Sequence, residues 1–167
     1  MSKDQQLFDL INSYREVEGV DPLNRVTEVA MAAQHHSEDM AEFDFFDHET
    51  VQSSFYPVRS HAGERMAQEG YETGSWAENI ACGQETAEET LEAWQLSQGH
   101  NENLLYEGYQ VIGIGVAEGS AGCSPYWTAD FAPAQDTESL AAEAQDARRE
   151  QRTSSMRRVG LGEALEY

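Results

Sequence analysis

Three short stretches hold polar side chains whose neighbours argue for a structured setting: His48 in F-F-D-H-E-T, Glu78 in W-A-E-N-I-A and His100 in S-Q-G-H-N-E-N-L-L. An imidazole exchanges a proton near neutral pH or ligates a metal through a ring nitrogen. A carboxylate inside an apolar run costs free energy unless it is paired or serves a site. His48 and His100 stand in irregular segments beside aromatic or glycine positions, where binding and catalytic groups concentrate. Asn79, next to Glu78, carries an amide able to bond backbone in a turn or cleft. Each has a plainer reading: His100 fills space at a chain reversal, and Glu78 caps a loop. His35 and His36 are consecutive on a helical pattern, about 100° apart, so they cannot both face one site. One is expected to be packed and the other solvated. His61 is expected on the surface of a helix. Ser97, three residues before His100, suggests a Ser–His pair, but no third orienting acid accompanies it.

The elements that must position these groups follow from periodicity. Leu7, Leu10, Ile11, Tyr14 and Val17 space a helix over 4–18 that stops at Gly19, and a second helix runs from about Val26 to Phe43. The aromatic F-D-F-F-D-H-E-T-V-Q segment is expected to turn and tuck under the core. Residues 58–69 read as a third helix, and W-A-E-N-I-A as an extended segment. Thr86 followed by Glu89 is a capping-box pattern that opens a helix carrying Leu91, Trp94 and Leu96. Gly99 then permits a reversal. Y-Q-V-I-G-I-G-V-A and P-Y-W-T-A-D-F-A read as strands joined by a turn. The sum is four helices and two or three strands in α+β order. G-I-G-V-A-E lacks the third glycine and the following helix of a dinucleotide site, so its glycines are read as allowing close packing. The chain has neither H-E-x-x-H nor G-x-S-x-G.

The 167 residues fit one domain, read as 1–135, with an acidic and Arg-rich appendage at 136–167 that is partly helical or disordered. Against 31 acidic residues stand 10 basic ones, of which only Lys3 is lysine, and the formal net charge is -21. Such a field repels nucleic acid and anionic lipid. It resembles the surface of a protein adapted to high salt, where screening relieves self-repulsion; the alternative is a cationic partner. No stretch reaches the roughly 20 apolar residues of a membrane span. The first ten residues lack the basic-then-apolar layout of a signal peptide, so the chain is expected either to stay inside the cell or to be a mature form. Cys82 and Cys123 read most plainly as two separate buried thiols, with a single bridge as the alternative.

Taken in order, A-A-Q-H-H-S-E-D-M-A, F-F-D-H, A-E-N-I-A, A-W-x-x-S-x-G-H-N-x-N-L-L, I-G-I-G-V and Y-W-T-A-D-F resemble the CAP domain. That superfamily comprises the cysteine-rich secretory proteins, antigen 5 and the pathogenesis-related 1 proteins, and the likeness is to its short prokaryotic form over about residues 5–133. The resemblance implies a three-layer α-β-α sandwich with a small antiparallel sheet, whose cleft gathers two histidines and two acids. Position by position these fall on His48, Glu78 and His100, while the second acid falls on Ser97. His48 and His100 are then implied as ligands of Zn²⁺ or another divalent metal, with water completing the shell. Glu78 would orient a histidine or a bound water, with Ser97 and Asn79 beside it.

Three functions remain open on the sequence. The preferred one is a non-enzymatic binding module for a metal and a small-molecule, lipid or peptide ligand. The second is a metal-assisted, peptidase-like hydrolase with Glu78 as general base, and the third is a scaffold with a vestigial cleft. The family is mostly secreted or surface-attached, which pulls against the missing leader pattern.

Overall fold

The structure is a computed structural model that describes residues 1–135; the reading of 136–167 lies outside the described residues. Chain order is α1 (Lys3–Val17), β1 (Asn24–Arg25), α2 (Thr27–Phe43), α3 (Ala62–Gln68), β2 (Ala77–Cys82), α4 (Ala87–Gln95), α5 (Gln98–Leu105), β3 (Val111–Ala117) and β4 (Tyr126–Ala132). The sheet runs β1-β3-β4-β2, with β1 parallel to β3 and the other pairs antiparallel. The sandwich is therefore the expected one, with a two-residue parallel strand added to the antiparallel ladder.

Side-chain alternation decides what each sheet face covers. On one face Ile112, Ile114, Trp127, Ala129 and Phe131 pack against Leu7 and Ile11 of α1, Leu91 and Trp94 of α4, and Leu104 of α5. On the other, Val111 and Ala132 meet Val29 and Ala32 of α2 and Met66 of α3. α1 ends in a paired αL motif, as Gly19 (φ +75) gives its N–H to Glu16 and Val20 gives its own to Arg15. Thr86 and Glu89 form the expected capping box.

Gly113 and Gly115 fulfil their packing role. A Cβ at Gly113 would overlap the Val29–Ala30 backbone, and one at Gly115 the Ala33–Gln34 backbone, so α2 rests directly on β3. Gly115→Val is expected to destabilise the fold by about 1–3 kcal/mol or more, because the opposing atoms are backbone and cannot move aside. A lowered urea midpoint is the readout; an unchanged one would mean α2 does not rely on this contact. β1 covers only Val111 and Ile112 of β3. Further along that edge, Gln34 Nε2 donates to the Val116 carbonyl at 3.1 Å and Gln34 Oε1 accepts from the Val116 N–H at 3.0 Å.

Several sequence expectations are corrected. Residues 97–105 are not a reversal: Ser97 is the N-cap of α5, and Gly99 and His100 lie in its first turn. The third helix starts later than expected, at Ala62, and His61 caps it instead of lying on it, accepting the Glu64 N–H on Nδ1. Residues 50–60 form a loop closed by Thr50 N–H to Ser60 O at 3.0 Å and Arg59 N–H to Thr50 O at 2.7 Å. Phe46 is 50% exposed and does not tuck under the core; Phe45 packs beside Met40, Ile80 and Tyr126. Cys82 and Cys123 are joined in a disulfide, with Cα atoms 5.5 Å apart, so they are not separate thiols. The register explains it: Cys82 at the end of β2 pairs with Tyr126 at the start of β4, and Cys123 lies just ahead.

A histidine, carboxylate and arginine candidate site

Glu78 lies on edge strand β2, where alternation sends Asn79 and its odd-numbered neighbours to the α1/α4/α5 face and Glu78 to the α2/α3 face. There it is buried, with 6% exposure. Arg65 of α3, also buried, answers it: one Nη donates to Glu78 Oε2. The other Nη donates to Ser60 O at 2.7 Å, His48 O at 3.0 Å and Thr50 Oγ1 at 3.2 Å. A single guanidinium thus neutralises the buried acid, holds the His48 carbonyl and pins both ends of the 50–60 loop that follows it. Its planar fork of donors suits that double duty.

His48 has its Nδ1 at 2.9 Å from Glu78 Oε1, while 57% of its side chain faces solvent. An ionised carboxylate only accepts, so Nδ1 carries the hydrogen and the neutral ring keeps its lone pair on Nε2. The Glu78 hydrogen bond raises the His48 pKa against the opposing pull of burial. His100, half-buried in α5, is shifted down by burial first and by the charge of His48 second. Asn79 points to the sheet face opposite to that of Glu78. Its Nδ2 donates to the His100 carbonyl at 3.0 Å and its Oδ1 accepts from Asn103 Nδ2 at 2.9 Å, tying α5 to β2. Asn79 therefore anchors the helix bearing His100 and does not project toward Glu78. Ser97 lies one helical turn before His100, and its hydroxyl makes no capping bond.

Two further groups belong here that the sequence reading did not single out as site residues. His36 of α2 is fully buried; its Nε2 donates to Asp47 O at 2.9 Å and lies 3.9 Å from Glu78 Oε1. Burial, more than any other cause, lowers its pKa to about 4, so it is neutral. Asp130 of β4 is the cross-strand partner of Glu78 and is fully buried. Burial and the adjacent Glu78 charge drive the Asp130 pKa well above the carboxylate range. Burial is the strongest single influence on Glu78 and works to raise it, but Arg65, the His48 bond and the other neighbouring groups together outweigh burial and lower its pKa to about 2, so Glu78 is the ionised member. A buried acid demands a counter-ion, which is the signal that could have led to Arg65. His35, the other half of the H-H pair, is only partly exposed and is held in place: Nδ1 lies 2.8 Å from Glu69 Oε1 and the ring stacks on Phe55. The two imidazoles do serve different places.

Among the described residues, no group of three or more His, Cys, Asp or Glu is arranged to hold a metal ion. The donor chemistry fits a smaller set. His48 offers Nε2 because Nδ1 is committed to Glu78, and His100 is neutral at physiological pH. A metal held by both would need water for its other positions.

The family model for the cysteine-rich secretory protein (CAP) family matches residues 8–131. This chain belongs to that family. The CAP chain is 30% identical over 128 residues to the uncharacterised Bacillus subtilis protein YkwD, covering 77% of the chain and 46% of YkwD. Among solved structures it is similar to an extracellular, SCP-domain-containing protein of Bacillus anthracis, with 28% identity and a TM-score of 0.69. That match covers 79% of the chain and 40% of the B. anthracis protein, so the CAP chain spans less than half of either relative. An outer surface protein of Borrelia burgdorferi shares the fold at 16% identity, with a TM-score of 0.68, covering 78% of the chain and 92% of that protein. No helix among the described residues is long and apolar enough to cross a membrane.

Proposed function

We propose that residues 1–135 act as a CAP binding module in which His48 and His100 hold a divalent metal such as zinc, with a small or peptidic ligand completing its shell. The single observation that carries this reading is the bond from His48 Nδ1 to the buried Glu78, which leaves Nε2 free toward solvent. A carboxylate behind a histidine fixes its tautomer and strengthens it as a ligand. The same bond supports a binding role over a hydrolytic one. Glu78 is engaged by His48 and by Arg65 and is held ionised, which makes it a weak acceptor for a proton from metal-bound water.

Calorimetric titration with Zn²⁺ tests the module. Wild type is expected to bind, and His48→Ala and His100→Ala are each expected to weaken binding by about 10–100-fold, at least the loss seen when a ligand's supporting group is removed. Equal affinities in all three would remove the metal site. Chelator-sensitive peptide hydrolysis abolished by Glu78→Ala would overturn the non-enzymatic reading. We place the module outside the cell or on its surface, supported by the Cys82–Cys123 bridge and by the extracellular B. anthracis relative. The acidic surface suits a saline medium.

A further inference from the structure

We propose that Asp130 is a positioning residue of this site: from β4 it donates its carboxyl O–H to Glu78 and so holds the carboxylate where it fixes the ring of His48. The inference rests on reading His48 as the ring that presents Nε2 to a ligand. Three observations carry it. Glu78 and Asp130 are register partners on adjacent antiparallel strands, so their side chains leave the same face side by side. Both are buried, at 6% and 0% exposure, beneath α2 and α3. Neither Asp130 carboxyl oxygen meets a hydrogen-bond donor among the described residues. An ionised Asp130 would be a second buried negative charge with no donor on either oxygen, because both Arg65 Nη groups are spent on Glu78 and on the loop and its Nε bonds neither Asp130 oxygen. A carboxylic acid there has an O–H to donate, and the adjacent Glu78 carboxylate accepts that hydrogen bond while Asp130 keeps the proton.

The consequence is a division of labour between two acids. Glu78 receives from three sides: Arg65 on Oε2, His48 on Oε1, and Asp130 across the strand pair. With its lone pairs occupied, the carboxylate has little freedom to rotate, and His48 meets a fixed acceptor. Without Asp130 the carboxylate loses its strand-side support and can turn toward Arg65 alone, which releases the His48 ring to exchange tautomers.

The experiment uses the full chain with ¹⁵N-labelled histidine, at a pH where His48 is neutral, in wild type, Asp130→Asn and Asp130→Ala. Asparagine keeps a donor of the same shape, while alanine removes it. Wild type and Asp130→Asn are expected to show His48 with hydrogen on Nδ1. Asp130→Ala is expected to show a tautomer mixture and about tenfold weaker Zn²⁺ binding. An infrared difference spectrum of wild type minus Asp130→Asn should contain the C=O band of a protonated carboxyl. The proposal is overturned if that band is missing, if Asp130→Ala keeps the wild-type tautomer, or if Asp130→Asn is as impaired as alanine. Should wild type bind no Zn²⁺, the metal reading falls, yet the tautomer comparison still decides the role of Asp130.

Discussion

Replacing Arg65 with methionine is expected to lower stability by about 3–5 kcal/mol, the range for stripping the partner from a buried ion pair. Glu78 would keep its burial and lose its cation, so it must either remain charged among apolar groups or take up a proton. The loop would lose its ties to His48 O, Thr50 Oγ1 and Ser60 O at the same time. Denaturant unfolding measures the loss, and a double variant separates its parts. Arg65→Met with Glu78→Gln should regain the share that comes from the stranded charge, leaving the loop's share. A midpoint for Arg65→Met within 1 kcal/mol of wild type, a bound of about one surface pair, would show that this ion pair does not organise the site.

Reduction of the Cys82–Cys123 bridge, or Cys82→Ser with Cys123→Ser, is expected to cost about 4 kcal/mol. The bridge spans a sequence separation of 41, and in the chain-entropy view a loop of that length restricts the unfolded chain by about this amount. Guanidinium unfolding with and without reductant is the measurement. Coincident curves would mean that the closed loop contributes nothing to the fold. The bridge stitches the entry of β4 to the end of β2, the strand that carries Glu78, so a reduced protein should also bind Zn²⁺ less tightly if the β2 edge loosens.

What the sequence disclosed depended on whether its signals were local. The Thr86–Glu89 capping box, the Leu7/Ile11 spacing and the alternation in β3 and β4 are local, and they placed their elements within a few residues. α5 was missed because it buries little beyond Leu104 and holds Gly99 in its first turn, so it carries no strong apolar stripe, and its N-cap Ser97 makes no side-chain bond to mark the start. β1 has two residues and therefore no period to detect. The disulfide depends on β2 and β4 being neighbours, which two cysteines 41 apart do not reveal. In the site, Glu78 stood out because a charge interrupts an apolar run. Asp130 in Y-W-T-A-D-F interrupts one equally, but its meaning comes only from register, once the strand pair sets it against Glu78. Arg65 sits in a polar helix where an arginine is unremarkable until its burial is seen. The H-H pair announced two environments correctly, without showing that His36 would be the one beside Glu78.

Gln34 does for β3 what another strand would otherwise do. Its side-chain amide imitates a peptide group, meeting both the donor and the acceptor of Val116 beyond the point where β1 stops. A foreign segment seeking to extend the ladder at that border finds the hydrogen-bonding positions of Val116 already taken, by a helix it cannot displace without lifting α2 from the glycines beneath. That is a built-in guard against fibre-like self-association along this border.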